Sequence, residues 1–265
     1  MKFRFVDFLH EDDLGDSNLT EIQAAEFADK GFIGQNDWVA HMMRYAFIQK
    51  TLERVQPKYL LDLGCGRMQL PYFLWRNRST WKGNYIGIDA RATVKWLDLI
   101  NTHTAFESIT LIRGSVLKSP GEYERFTKLN LQYDFIVCME VLEHIANRNK
   151  NIFAFNISHW APKGGHLYLS SPNTGQSESV AKNHIGDDGV REMTYNDKIA
   201  LFEKHGFIQE AAYGTYIRTK YLNKEEMSVA EEAYHDYLTY PMYSAFKAIP
   251  YPAQATNAIH VFRRT

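Results

Sequence analysis

At 265 residues with 45% hydrophobic side chains, the chain is long enough for one substantial core plus an appendage and sits near the limit for a single domain. Thirty Lys and Arg against 31 Asp and Glu leave a formal net charge of −1, which excludes a global polycation that would bind nucleic acid indiscriminately and leaves open only a local basic patch. No run of 18 uncharged apolar residues occurs, Met1–Phe5 lacks an apolar leader core, and the two cysteines, Cys65 and Cys138, have no metal-ligand spacing; a cytoplasmic chain with no membrane span, in a reducing compartment, is expected.

Residues 1–57 read as a cap segment ahead of the sheet. The part through Asn18 is rich in Asp, Glu and Asn and reads as loop, and Thr20–Lys30 reads as a short helix. From Asp37 to Val55 the pattern is clearer. Trp38, Met42, Tyr45, Ala46, Ile48 and Leu52 recur at helical spacing behind Asn36 or Asp37 as cap, and Pro57 ends the run.

Tyr59-Leu60-Leu61-Asp62-Leu63-Gly64-Cys65-Gly66 is a buried strand running into a turn that admits almost no side chain. Gly64 and Gly66 can take positive φ without a Cβ penalty. Met68–Asn77 follows as a predicted helix whose N-terminal N–H groups and dipole face the turn. A dinucleotide fingerprint would need a third glycine where Gln69 stands, and the Gly-Lys-Ser/Thr ending of a phosphate loop is missing. The second strand, Tyr85-Ile86-Gly87-Ile88-Asp89, instead ends in an acid able to accept both hydroxyls of an adenosyl ribose.

Further strands are predicted at 109–113, 133–138, 165–171, 207–216 and 257–264, alternating with helices in the manner of an open doubly wound α/β sheet. A helix starting at Glu140 would put Glu140, Glu143 and His144 on one face at the carboxyl end of the fourth strand, where such sheets bind ligands. Three readings follow: Glu140 offsetting a cationic ligand, Glu143 with His144 as general base, or acids simply favouring a helix's first turn. The polar loop Asn173–Arg191, with His184, Asp187 and Asp188, is a lid or a solvated connection. Before the last strand comes an insertion at about 218–252. Lys224–Tyr240 reads as helix, Pro241, Pro250 and Pro252 as breaks, and Tyr234, Tyr237, Tyr240, Tyr243, Phe246 and Tyr251 as lid packing or acceptor contacts.

Asp62-Leu63-Gly64-Cys65-Gly66, Gly87-Ile88-Asp89, the run Tyr133–His144, the run Pro162–Asn173 and Gly206-Phe207, in that order, resemble the class I S-adenosylmethionine (SAM)-dependent methyltransferases. The resemblance implies a Rossmann-like, mostly parallel seven-stranded sheet with an antiparallel last strand, spanning 58–265 as the methyltransferase domain. It also implies SAM as cofactor, with S-adenosylhomocysteine (SAH) as product. Gly64, Cys65 and Gly66 would hold the methionine half, with Asp62 either supporting the ligand or only tying down the turn backbone. Asp89, with Ala90 beside it, would hold the ribose, Ser115 and Val116 the adenine, and Glu140 the sulfonium side. Ser115 departs from the acid this family often carries there.

The string Glu140-x-x-Glu143-His144 further resembles that of ubiquinone-pathway O-methyltransferases and small-RNA 2′-O-methyltransferases, in parts of which such groups hold a divalent cation. The latter type carries another histidine where this chain has Gly189, and His184 is out of register, so a metal is not favoured. The fourth-strand motif, Cys138-Met139-Glu140-Val141, lacks the pattern of amino-methylating DNA enzymes, which leaves methylation of an O or N acceptor on a small molecule as the leading expectation. A nucleic-acid base or ribose methyltransferase and a non-catalytic SAM-binding regulatory subunit are the alternatives.

Overall fold

The computed structural model describes residues 2–7, 38–92, 106–127, 132–175, 184–217 and 240–265. The expected helices Thr20–Lys30 and Lys224–Tyr240, the cap at Asn36 or Asp37, and Tyr234 and Tyr237 lie outside them.

Strands β1 (Lys2–Asp7), β2 (Tyr59–Leu63), β3 (Gly83–Asp89), β4 (Phe106–Arg113), β5 (Phe135–Met139), β6 (His166–Pro172), β9 (Phe207–Tyr216) and β10 (Asn257–Arg264) form one sheet in the order β1-β4-β3-β2-β5-β6-β10-β9. Among the described strands only β10 runs against the direction of the rest, pairing with β6 on one side and β9 on the other. A short hairpin, β7 (Ile185–Gly186) with β8 (Gly189–Val190), stands apart. The expected α/β sheet with an antiparallel last strand is therefore present, with one strand more than the seven foreseen. Residues 2–7 are not loop ahead of the sheet: β1 pairs parallel with β4 in register from Lys2–Ser108 to Asp7–Arg113.

Alternation along the central strands explains why both faces are dry. Leu61, Leu63, Ile86, Ile88, Ile136, Cys138, Leu167 and Leu169 point into one buried cluster, completed by Tyr123 from α3 (Pro120–Thr127), by Phe153, Ala154, Ile157 and Trp160 from α4 (Lys150–Trp160), and by Phe202 from α5 (Tyr195–Glu203). The intervening residues Leu60, Tyr85, Ile109, Leu111, Phe135, Val137 and Tyr168 point the other way. They meet Ile48 and Leu52 of α1 (Trp38–Val55) and Leu70 and Leu74 of α2 (Gln69–Arg76). Period-two side chains buried on both faces are what parallel strands under crossover helices require.

Part of the insertion forms α6 (Tyr240–Ala248), which packs on β9 and α1. Pro241 does not break this segment as expected but occupies its second position, where a fixed φ and a missing N–H cost nothing. Ser244, Ala245 and Ala248 are fully buried, and the Ser244 hydroxyl accepts from Ile217 N at 3.1 Å. The helix end comes so near β9 that a Cβ on Gly214 would lie 2.1 Å from Ala248 O. Phe246 and Tyr251, two of the expected lid aromatics, are exposed. No helix among the described residues is long and apolar enough to cross a membrane.

Candidate functional site

The ends of β2, β3, β4 and β5 place the sequence-predicted residues along one sheet edge. Gly64 and Gly66 take φ of 76° and 52°, and Met68, which precedes α2, takes 65°. Gly64 N donates to Ile88 O at 2.7 Å, which seats the turn against the end of β3. The turn has no room for another atom at Gly64, where a Cβ would lie 2.1 Å from Val141 Cγ2.

Asp89 closes the turn from the β3 side. Its Oδ2 accepts from Gly66 N at 2.9 Å and its Oδ1 from Arg91 N at 2.6 Å, so the acid is aimed before any ligand arrives. Burial raises its carboxyl above the ordinary range, while the two N–H bonds pull it back down. Asp62 does not tie the turn backbone. Its Oδ2 accepts from the Tyr85 hydroxyl at 2.7 Å, on the face that also carries Leu60. Burial pushes Asp62 up to about 7, opposed by the Tyr85 bond and reinforced by Asp89. Cys65 fills the space that Gly87 leaves bare on the same face, and burial raises its thiol.

β4 ends beside β3 because Gly114 N donates to Asp89 O at 3.1 Å. Ser115 follows, buried, with its hydroxyl accepting from Leu117 N at 3.2 Å, and half-buried Val116 packs on the core. Ala90 is half buried directly after Asp89.

No α-helix begins at Glu140, which corrects the expected shared face. Glu140 takes a left-handed φ of 58° and donates its N–H to Ser170 O at 2.8 Å; the chain then makes a 3₁₀ turn at Leu142–His144. The physical reason is that β5 must deliver its last carboxylate sideways, toward β6 and β10. There Ser170 Oγ donates to Oε1 and Asn257 Nδ2 to Oε2 at 2.7 Å, while buried Arg44 of α1 stands 3.8 Å from Oε1. Glu143, 2% exposed, has its carboxyl raised by burial and then by Glu140, with Lys198 and Arg44 pulling it down.

The loop 173–191 contributes more than expected. Arg191 N donates to His184 O at 2.8 Å across the base of the β7–β8 hairpin, which brings His184 back over the turn 142–144. His184 Nδ1 lies 2.7 Å from Glu192 Oε1, and the His144 and His184 rings approach edge to face at 5.0 Å. One ligand-type atom from each of Glu143, His144 and His184 lies within 4.8 Å of the others. The register that counted against His184 is thus undone by the hairpin, since distance along the chain is not distance in space.

Two lysines escaped sequence reasoning. Lys198 of α5, fully buried, donates to Ser171 O at 2.8 Å, Pro172 O at 2.6 Å and Asn173 Oδ1 at 2.8 Å; burial pulls it down to about 7 although Glu143, Glu140 and Glu192 push back. Lys150 donates to Asn147 Oδ1 at 2.8 Å and to Arg191 O, and burial lowers it to about 8. The available signal was spacing: Lys198 lies between Tyr195 and Phe202 on the helical face that turns inward.

Fold and site together define a Rossmann-like α/β protein, a class that binds its ligands at the carboxyl ends of the central strands. Residues 39–213 match the family described as methyltransferase domain, and the chain belongs to it: this is a SAM-dependent methyltransferase. Solved structures with the same fold include magnesium protoporphyrin IX methyltransferase from Synechocystis with bound SAH, at 14% identity, 94% of this chain and 95% of that chain covered, and a TM-score of 0.58. The 1,6-didemethyltoxoflavin-N1-methyltransferase of Burkholderia thailandensis, with bound 1,6-didemethyltoxoflavin and SAH, shares 13% identity over 92% of this chain and 88% of that chain, with a TM-score of 0.54. A plantazolicin methyltransferase bound to a desmethyl analog and SAH shares 11% over 96% and 94%, with a TM-score of 0.53.

Proposed function

We propose that this enzyme methylates an O or N atom of a small-molecule acceptor in the cytoplasm, with the cofactor seated along the β2–β5 ends. The observation that carries the seating is the Asp89 carboxylate, fixed by Gly66 N and Arg91 N beside two positive-φ glycines. Those residues suit the cofactor chemically. Asp89 retains lone pairs for the ribose hydroxyls, with Ala90 alongside, and the Gly64-Cys65-Gly66 backbone can approach the methionine half closely because two of its three residues lack a Cβ. Ser115 and Val116 lie at the neighbouring strand end for the adenine, and Asp62, oriented by the Tyr85 hydroxyl, supports the ligand from the end of β2. Glu140, preorganised by Ser170, Asn257 and Arg44, supplies negative charge on the sulfonium side.

When bound, SAM supplies an activated methyl group on a positively charged sulfur. The residues of this chain then have chiefly to align the acceptor and exclude water, an orientation effect that can supply about 7 to 11 kcal/mol. Glu143 and His144, on the turn after Glu140, stand as the general base for an acceptor proton, worth about 10²- to 10⁴-fold. Incubating labelled SAM with cell extract split into small-molecule, protein and nucleic-acid fractions tests the reading. Label in the small-molecule fraction supports it, whereas label confined to nucleic acid overturns the acceptor class.

A further inference from the structure

We propose that Asn173, seated on the buried Lys198 ammonium, is a positioning residue for Glu140: it fixes the turn that closes the insertion and so sets where Asn257 presents its amide to the Glu140 carboxylate. The inference rests on the reading above that Glu140 faces the sulfonium side of the cofactor. Three observations carry it. Asn173 is fully buried and its side chain joins three segments, Oδ1 accepting from Lys198 Nζ of α5 at 2.8 Å and Nδ2 donating to Pro252 O at 3.0 Å and Ala255 O at 2.8 Å. Its backbone N–H donates to Thr256 O at 2.8 Å, so one residue just past β6 holds the whole approach to β10. That approach needs holding, because the β9–β10 register breaks between Asn257 and Ala258, the kind of irregularity that re-aims a side chain. The re-aimed side chain is the one that matters here: Asn257 Nδ2 donates to Glu140 Oε2 at 2.7 Å, and Asn257 Oδ1 lies 3.2 Å from Ser170 Oγ.

Lys198 accounts for an amide at this position. The ammonium gives its other N–H groups to Ser171 O at 2.8 Å and Pro172 O at 2.6 Å, and Asn173 Oδ1 completes the set of three acceptors that lets so strongly hydrated a group be buried. With Oδ1 held there, the Asn173 Nδ2 group is turned toward the 252–255 carbonyls. The turn itself is tightened by Gln254 N and Ala255 N, which donate to Tyr251 O at 3.1 and 2.9 Å, and Thr256 N donates onward to Tyr216 O at 2.7 Å. Attraction between a carboxylate and a sulfonium weakens with distance and is strongest where water is excluded. Displacing Glu140 therefore costs binding of a cationic cofactor and leaves a neutral one nearly untouched. The competing account is a scaffold role, in which Asn173 closes the turn and nothing at Glu140 depends on it.

The test compares two cofactor analogues on the full chain by calorimetry: SAH, whose thioether is neutral, and sinefungin, which carries a protonated amine where SAM carries its sulfonium methyl. Neither needs an acceptor. Glu140→Gln should lower the preference for sinefungin over SAH by about 10-fold or more, since contacts between charged groups are the strong ones. Asn173→Ala and the milder Asn173→Ser, which leaves an oxygen for Lys198, should lower it by about 3- to 10-fold with SAH affinity held within about twofold. His260→Phe, buried further along β10, should change neither affinity. A preference equal to that of the wild type in both Asn173 variants, affinities for both analogues that fall together, or loss of folding in both by circular dichroism would each make Asn173 a scaffold residue and overturn the proposal. An unchanged preference in Glu140→Gln would remove Glu140 from the sulfonium side and overturn it too. A wild type that binds neither analogue would sink the cofactor reading and the inference with it.

Discussion

The Tyr85 hydroxyl donates to Asp62 Oδ2 at 2.7 Å from one central strand to the next, with both side chains buried. The bond stabilises the charged carboxylate, yet burial still holds Asp62 up at about 7. Tyr85→Phe should therefore cost about 1 to 3 kcal/mol where Asp62 is ionised in the folded protein. Below about 7 the folded acid is protonated and less depends on the bond. Urea unfolding at pH 8 and pH 5 checks this, and equal losses at both values would contradict it.

Asp89 bridges the glycine turn and the proposed ribose position. Asp89→Ala should weaken SAH binding by roughly 10- to 100-fold, since hydrogen bonds to a charged group are each worth about 1.5 to 3 kcal/mol. Circular dichroism should remain that of the wild type, because the sheet core does not include this side chain. Unchanged calorimetric affinity would remove Asp89 from the cofactor seat.

Gly64→Ala meets two obstacles, a φ of 76° and Val141 Cγ2 at 2.1 Å from the added carbon. A loss of about 2 kcal/mol or more is expected from strain plus overpacking. Adding Val141→Ala should recover the part due to the clash and none of the part due to φ. Thermal melts of the single and double variants separate the two, and a double variant no more stable than Gly64→Ala would show that the clash is not felt.

His260 is fully buried between Tyr195 and Phe262, with Nδ1 at 3.2 Å from Gln209 Oε1, and burial lowers its pKa to about 3. An unfolded histidine titrates near 6.5, so below that value the unfolded chain takes up a proton that the folded chain refuses. Stability should fall as pH drops from about 6.5 toward 3, by up to about 1.4 kcal/mol per unit from this group. His260→Phe should flatten that slope, losing about 2 kcal/mol less than wild type between pH 7 and pH 5. Parallel slopes in denaturant titrations would refute the assignment.

Much of the fold was legible because its signals are local. Leu60, Leu61 and Leu63 before Gly64, and Ile86 and Ile88 before Asp89, mark strand and turn without reference to anything distant. β1 was missed although Phe3 and Phe5 alternate with Lys2 and Arg4, because six residues ahead of a stretch rich in Asp, Glu and Asn make a weak signal, and only pairing with β4 gives this edge strand a place. Pro241 reads as a breaker until a helix is seen to start there. At the site, Asp62, Gly64, Gly66 and Asp89 fell where the motif spacing put them, whereas the helical face drawn through Glu140, Glu143 and His144 did not exist.

The sequence by itself determined the alternation of strands and helices, the glycine turn and the acid at the end of β3, since each depends on backbone preference and on burial periods of two or 3.6 residues. Tertiary structure alone decided which distant side chains meet. Arg44, Ser170 and Asn257 converge on Glu140, and the β7–β8 hairpin carries His184 and Glu192 to Glu143 and His144. Such convergence depends on sheet order and on the path of a folded-back loop, which are settled by the packing of the whole domain and leave no periodic trace in the chain.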